Sequence, residues 1–143
     1  MRRAGSYTLL VASVILFALC LPRIAFCVDV DCHPLWPGYG VLLMGWLEPL
    51  AIADVGPFVA FSWYANLCIG LTWILVVAGA RRSAVILGLV GGLLGLSFLL
   101  GNSVMVAESG STYRVTGYAA GYWLWLGSLC LALLSATLLP SPK

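Results

Sequence analysis

The residue types best suited to chemistry are concentrated in one short polar stretch, residues 27–33. It contains two cysteines, two aspartates and the single histidine of the chain: Cys27, Asp29, Asp31, Cys32 and His33. Thiolate, carboxylate and imidazole groups all bind metals, but this spacing matches no standard zinc pattern. A cysteine pair this close favours a disulfide in an oxidising compartment. We therefore predict a structural disulfide between Cys27 and Cys32 and no bound metal, with a metal site as the alternative.

A catalytic thiol pair is a further alternative. Four-helix membrane proteins that oxidise thiols and pass electrons to quinone also have a cysteine pair in the first outer loop, and this chain resembles them in outline. Those proteins need a Cys-x-x-Cys motif and further cysteines to relay electrons. Here Cys20, Cys68 and Cys130 lie in apolar runs, as is typical of small buried residues. The sequence also has no Ser/His/Asp set and no phosphate loop. We predict a protein that is not an enzyme and holds no cofactor.

The composition around this stretch makes the lipid bilayer the natural solvent of the chain. Of the 143 residues, 62% are hydrophobic and only 8% are charged, against about 25% charged residues in soluble domains. A soluble fold could not bury so much apolar surface. The small net charge of +2, without a basic patch, argues against nucleic acid as a partner.

The clearest membrane segments are two uncharged runs, Pro57–Gly79 and Ala84–Gly101, of 23 and 18 residues. Each is long enough to cross roughly 30 Å of hydrocarbon as a helix. Arg81-Arg82-Ser83 lies between them, and we interpret it as a turn in water that joins a helical hairpin. A further apolar segment on each side raises the predicted number of spans to four.

We therefore predict an all-α membrane protein, a single domain over residues 1–143 that forms a bundle of four transmembrane helices. The approximate spans are 6–26, 57–79, 84–102 and 117–139, and the outer loops are 27–56 and 103–116. Gly38–Ala53 is apolar but too short to span, so we expect a short helix at the membrane interface. The first span also fits a cleaved signal peptide, although its cleavage site is poor.

The distribution of charge predicts the orientation of this bundle. With four spans, one side carries five of the seven basic residues: Arg2, Arg3, Arg81, Arg82 and Lys143. All five acidic residues fall on the other side. Because positive charge marks the cytoplasmic side, we predict a multi-pass protein of the bacterial inner membrane with both termini in the cytoplasm.

Small residues indicate where the helices pack closely, because they let helix backbones approach in lipid. The third span has Gly-xxx-Gly spacing at 88/92 and 91/95, and the fourth span has its own small-residue stripe. The predicted packing residues are Gly88, Gly91, Gly92 and Gly95 in the third span, and Gly121, Ser128, Ala132 and Ser135 in the fourth. We favour packing within one chain over self-association through a dimer face.

Aromatic residues crowd the predicted outer half. A belt at the lipid headgroups is the simplest interpretation, but a belt should be populated at both interfaces. The alternative is a rim around an outward-facing groove that contacts another membrane or periplasmic protein. We expect Asn66, the most polar side chain well inside a span, to make an interhelical hydrogen bond. The candidate partner-binding residues are Trp36, Tyr39, Trp46, Trp63, Tyr64, Asn66, Tyr118, Tyr122 and Trp125.

Phe-Ser-Trp-Tyr-Ala-Asn at 61–66, the double arginine and Gly-Tyr-Trp-Leu-Trp-Leu-Gly-Ser at 121–128 resemble a group of small, uncharacterised four-helix inner-membrane proteins of bacteria. The resemblance covers most of the chain and implies an architecture but no activity. The last three spans contain no ionisable Asp, Glu, Lys, Arg or His, which disfavours ion-coupled transport. We predict a non-enzymatic binding, accessory or protective role exercised through the periplasmic face. An oligomeric channel or carrier is the first alternative, and a thiol-redox membrane protein is the second.

Overall fold

The computed structural model describes residues 2–28, 37–105 and 112–140, and this part of the chain is mostly helical. Its helices are α1 (Arg2–Cys20), α2 (Gly38–Met44), α3 (Ile52–Val55), α4 (Pro57–Ser62), α5 (Ala65–Val77), α6 (Arg81–Ser97) and α7 (Ala120–Leu138). Its 3₁₀ turns are Gly45–Ala51 and Phe98–Leu100, and its strands are β1 (Phe26–Val28), β2 (Ser103–Met105) and β3 (Thr112–Tyr118).

Four helical stretches in the described chain are long and apolar enough to cross a membrane: Arg3–Cys20, Pro57–Val77, Arg81–Leu100 and Ala120–Leu138. This confirms the predicted number of apolar helices. Their bounds differ most from the prediction in the first span, which ends at Cys20 rather than at residue 26. Pro22 has no N–H to continue the helix, and the Arg23 N–H instead closes a turn on the Cys20 carbonyl at 3.0 Å.

The turn between α5 and α6 is formed by residues 78–80, so the prediction of an Arg81-Arg82-Ser83 turn is wrong by three residues. Gly79 has a φ of +75°, a left-handed conformation that favours glycine. Its N–H bonds to the Val76 carbonyl at 3.1 Å, and the Ala80 N–H bonds to the Leu75 carbonyl at 2.9 Å. These two bonds form a Schellman motif that ends α5. The two arginines therefore lie in the first turn of α6.

Helices α1 and α7 pack antiparallel along a row of buried serines. The Ser6 hydroxyl donates to the Ser135 carbonyl, and the Ser13 hydroxyl donates to the Ser128 carbonyl, each at 2.7 Å. Because seven residues separate the serines on each helix, the two contacts recur every two turns on one face. The Ser13 hydroxyl also accepts a hydrogen bond from Trp73 Nε1 at 2.9 Å, which connects α5 to the same pair.

Three glycines give α6 a smooth face against α5 and α7. A Cβ at Gly88 would lie 3.2 Å from the Leu133 Cα, and a Cβ at Gly91 would lie 2.9 Å from the Cys68 Cβ. One at Gly95 would also meet a side chain of α7, at 2.7 Å. These positions therefore contact neighbouring helices within the chain.

The prediction of an all-α fold is wrong at one end of the bundle, where a small antiparallel sheet has the order β1-β3-β2. It joins the two predicted outer loops, because Val28 of the first pairs with Val115 of the second. Strand β3 is rich in β-branched and aromatic residues, but its partners have only three residues each. Such short strands leave little periodic signal in a sequence. We call this end of the bundle the sheet end, and the opposite end the turn end.

We call residues 38–55 the α2–α3 segment, of which Gly38–Ala53 was predicted as one short helix. The structure divides them into α2, a 3₁₀ turn and α3. Pro49 lies inside the 3₁₀ turn and has no N–H to donate, which explains the interruption. Gly56 then turns the chain into α4 with a φ of +79° and a ψ of 162°, a combination that is essentially restricted to glycine.

Gly92 provides a matched control for Gly88, because both glycines lie in α6 but Gly92 is away from the contact with the neighbouring helices. A Cβ at Gly92 meets no heavy atom within 4 Å, so its predicted place in the packing face is corrected. We expect Gly88→Leu to lower the free energy of unfolding by about 1–3 kcal/mol through overpacking, and Gly92→Leu to have little effect. Thermal unfolding of both variants in mild detergent measures the difference. An equal loss in both would show that α6 is rotated from this arrangement.

Candidate ligand-binding cavity

The α2–α3 segment is held across the sheet end by close backbone contacts. The Gly38 N–H donates to the Arg23 carbonyl at 2.8 Å, and the Tyr39 N–H donates to the Leu21 carbonyl at 2.9 Å. A Cβ at Gly38 would lie 2.6 Å from the Cys20 carbonyl oxygen, so only glycine allows this approach. The segment is thereby anchored beside the end of α1.

A cavity of about 260 Å³ lies between this segment and the helix ends beneath it. It is bounded by α4, by the sheet-end portions of α1, α5 and α7, by strands β1 and β2, and by the 3₁₀ turn Phe98–Leu100 that follows α6. This volume is slightly below the range of about 300–1,000 Å³ that is usual for small-molecule sites, so it suits a compact ligand. The wall is largely apolar, and six of its lining residues are aromatic: Phe17, Phe26, Trp63, Phe98, Tyr122 and Trp125.

Most polar groups in this wall are satisfied by the protein itself. Trp63 Nε1 donates to the Leu42 carbonyl, and Trp125 Nε1 donates to Asn66 Oδ1, each at 2.9 Å. The Tyr122 hydroxyl donates to a carbonyl of α6 at 3.0 Å. The Asn66–Trp125 bond joins α5 to α7, which confirms the expected interhelical hydrogen bond. The wall therefore presents mainly apolar surface to a ligand, made of aliphatic side chains and aromatic rings.

Glu48 is the exception. Among the described residues, its Oε2 is the one buried side-chain nitrogen or oxygen atom that has no hydrogen-bond partner. Burial raises the pKa of this carboxyl group to about 7, and the hydrogen bond donated by the Met105 backbone N–H acts in the opposite direction. An unpaired buried carboxylate is costly, so this side chain would gain the most from a polar partner supplied by a ligand.

The predicted partner-binding residues divide into separate places. Trp63, Asn66, Tyr122 and Trp125 line the cavity. Tyr39 and Trp46 lie on the α2–α3 segment and are 55% and 53% exposed. Tyr64 and Tyr118 are half-buried beside the cavity wall, where Tyr64 packs on Trp63 and Tyr118 packs on Tyr122. Trp36 lies outside the described residues.

Glu48 was not among the predicted site residues. It entered the predictions only as one of the five acidic residues on the outer side. The available signal was its position, because Glu48 is the one charged residue in the otherwise apolar run Gly38–Ala53. An isolated acid in such a run is either exposed or buried for a purpose, and the tertiary structure was needed to choose between these possibilities.

The predicted packing residues of α7 also contribute to this end. A Cβ at Gly121 would lie 2.6 Å from the Ile24 carbonyl oxygen, so α7 begins in close contact with the chain that follows α1. Ser128, Ala132 and Ser135 are all buried within α7. The start of α7 is therefore fixed beside the cavity.

The cysteine cluster cannot be assembled from the described part of the chain. Cys27 lies half-buried in β1, opposite Gly117, while Asp29, Asp31, Cys32 and His33 lie outside the described residues. The disulfide and its metal alternative therefore stay predictions. Elsewhere in the described ranges, no three potential metal-binding side chains form a cluster. Of the three remaining cysteines, Cys20 is buried, Cys68 is half-buried and Cys130 is exposed.

Comparisons with protein-family models, curated proteins and solved structures found no match. The chemistry of the cavity must therefore be argued from its own groups. The thiol of Cys20 and the hydroxyl of Ser62 both donate to backbone carbonyls, at 3.0 Å and 2.8 Å. The described lining thus combines apolar rings with one carboxyl group, an arrangement suited to binding.

Glu48 predicts an unusual dependence of stability on pH. Its pKa rises from 4.5 to about 7 on folding, so the folded protein binds more protons between these values. The stabilisation by protonated Glu48 is complete below about pH 4.5 and is lost as the pH rises through about 7. We expect thermal stability in detergent to fall from pH 5 to pH 8, and Glu48→Gln to reduce this fall.

Asp54→Asn is the matched control for Glu48→Gln, because Asp54 is an exposed acid on the neighbouring helix α3. We expect that variant to keep the pH dependence of the wild-type protein. Identical slopes for the wild type and Glu48→Gln would show that Glu48 is not the group responsible.

Proposed function

We propose that the chain is a multi-pass protein of the bacterial inner membrane that binds a lipophilic ligand at its periplasmic face without catalysing a reaction. The observation that carries this proposal is the aromatic cavity beneath the α2–α3 segment. The proposal retains the predicted binding role, and it places the ligand inside the bundle end rather than on its rim.

The distribution of charge along the bundle supports this orientation. Arg3 lies near the turn end, beside Ala78 and Gly79, where α6 begins with Arg81 and Arg82. The described acids, Glu48 and Asp54, belong to the opposite end. Basic residues mark the cytoplasmic side, so the turn end and both termini are proposed to face the cytoplasm and the sheet end the periplasm.

Reporter fusions test this orientation directly. Alkaline phosphatase is active only after export, so we expect a fusion after Lys143 to be inactive and a fusion within residues 109–111 to be active. An active fusion after Lys143 with an inactive one in the second loop would reverse the proposed orientation. An active fusion after Ser83 would also contradict this orientation, because that position is cytoplasmic whether or not the first span is cleaved.

The α2–α3 segment suits a position at the headgroup level above the cavity. Its surface exposes large apolar side chains, including Leu43, Trp46 and Leu50. Contact with lipid is more favourable for such side chains than contact with water. The segment is made of short helical pieces, so few backbone bonds must break when it shifts. This arrangement favours entry of a ligand from the outer leaflet.

Two other proposed roles receive different support. Contact with another membrane or periplasmic protein is favoured by the exposed rings of Tyr39 and Trp46. The channel or carrier has less support, because the turn end of the described bundle is filled by a core of Leu10, Val76 and Ala84. The thiol-redox role depends on Cys32, which the structure does not describe.

Photolabelling tests ligand binding in the cavity. We expect the neutral probe 3-phenyl-3-(trifluoromethyl)diazirine to label peptides that line the cavity in wild-type protein, and neopentylbenzene to compete with it. Val41 lines the cavity from α2, so Val41→Trp should fill the space and reduce this labelling at least severalfold. Labelled peptides are located by mass spectrometry.

Leu43→Trp is the matched control, because Leu43 lies on the same helix but is 64% exposed. We expect it to leave cavity labelling unchanged. Equal labelling in the wild type and Val41→Trp, spread over the lipid-facing helices, would mean that the cavity does not take up apolar molecules.

A further inference from the structure

We propose that the cavity selects a lipophilic cation, a molecule with an apolar body and an ammonium group that pairs with the carboxylate of Glu48. This inference rests on the proposed function and names the chemical class of its ligand. It concerns Glu48, whose Oε2 atom has no hydrogen-bond partner in the described part of the chain.

The first argument is the unmatched charge. Glu48 Oε2 is buried and without a hydrogen-bond partner in the described chain, and the Met105 backbone N–H is the one donor to this carboxyl group that the structure identifies. The described residues that line the cavity include no lysine, arginine or histidine. Buried charges are normally paired. A cationic ligand would supply the missing charge, whereas an anionic ligand would be repelled.

The second argument is the chemistry of the wall. Trp63, Trp125, Tyr122 and Phe98 all line the same cavity as Glu48. Aromatic rings attract cations through their negative faces, and tryptophan does so most strongly. The polar groups of Trp63 and Trp125 are already bonded within the protein. A carboxylate combined with such rings suits an organic ammonium ion, which needs both a counter-charge and apolar contact.

The ionisation of Glu48 determines the charge of the cavity. Its 3₁₀ turn packs against α2, α3, α4 and β2. The ionisable side chains on these four elements are Tyr39 and Asp54, and both are exposed. Cys20 and Tyr122 also line the cavity, and both donate to backbone carbonyls. Binding of a permanent cation should therefore follow the ionisation of Glu48.

Competition with the diazirine label tests this inference with two compounds of nearly the same shape. Benzyltrimethylammonium carries a permanent positive charge, and neopentylbenzene replaces its nitrogen with carbon. Because a protonated Glu48 cannot pair with the cation, the competent fraction falls about tenfold for each pH unit below a pKa of about 7. We expect the cation to compete at least about tenfold better at pH 8 than at pH 5.5, and the neutral compound to compete equally at both.

Two variants separate Glu48 from the surrounding charges. Glu48→Gln should weaken competition by the cation at pH 8 at least about tenfold and remove its pH dependence, while diazirine labelling of the cavity persists and shows that the fold is intact. Asp54→Asn should behave as the wild type does. Equal competition by both compounds, or an unchanged effect of the cation in Glu48→Gln, would overturn the inference and leave the proposed function standing. Absence of cavity labelling in wild-type protein would instead overturn the proposed function itself.

Discussion

One buried hydroxyl group connects three of the four long helices. Ser13 Oγ donates to the Ser128 carbonyl of α7 and accepts from Trp73 Nε1 of α5, at 2.7 Å and 2.9 Å. In hydrocarbon a polar group without such partners costs several kcal/mol, so rotation of any of the three helices would be penalised. The serine is also small enough to let α1 and α7 approach closely. The positions of the remaining elements depend on this contact, because it fixes both the spacing and the register of α1 and α7.

The register of α1 and α7 also determines the contacts at the sheet end, roughly two turns from Ser128 along α7. There the Ala119 N–H donates to the Ala25 carbonyl at 3.0 Å, and the Gly121 N–H donates to the Ile24 carbonyl at 2.8 Å. The serine contacts join the helices α1 and α7 themselves, and these two backbone hydrogen bonds join the residues that follow α1 to the start of α7. Since Tyr122 and Trp125 follow at once, their rings are held in place by the same constraints. The α1 and α7 side of the cavity is therefore held by these contacts, and the short helical pieces of the α2–α3 segment close another side.

Sequence analysis identified the elements that follow from composition and length. The four apolar helices were predictable because a span is defined by about 20 apolar residues, and Asn66 was predictable because an amide in a span needs a partner. The sheet was missed because β1 and β2 have three residues each. The hairpin turn was misplaced because charge suggested Arg81 and Arg82, whereas the backbone geometry is set by Gly79. Gly92 was misassigned because Gly-xxx-Gly spacing does not say which of two neighbouring glycines faces a helix.

Glu48 could not be placed from the sequence because its environment is made by distant segments. The wall around it comes from α1, α4, α5, α7 and β2, and no local pattern brings these together. A glutamine would fit the same space, could accept the hydrogen bond from Met105 and would avoid the cost of burying a charge. The observed carboxylate makes the folded protein less stable at neutral pH than that alternative, since its pKa is raised towards 7. A group that opposes stability is most simply explained by an interaction formed only when the cavity is filled, which is the argument for a cationic ligand rather than a purely apolar one.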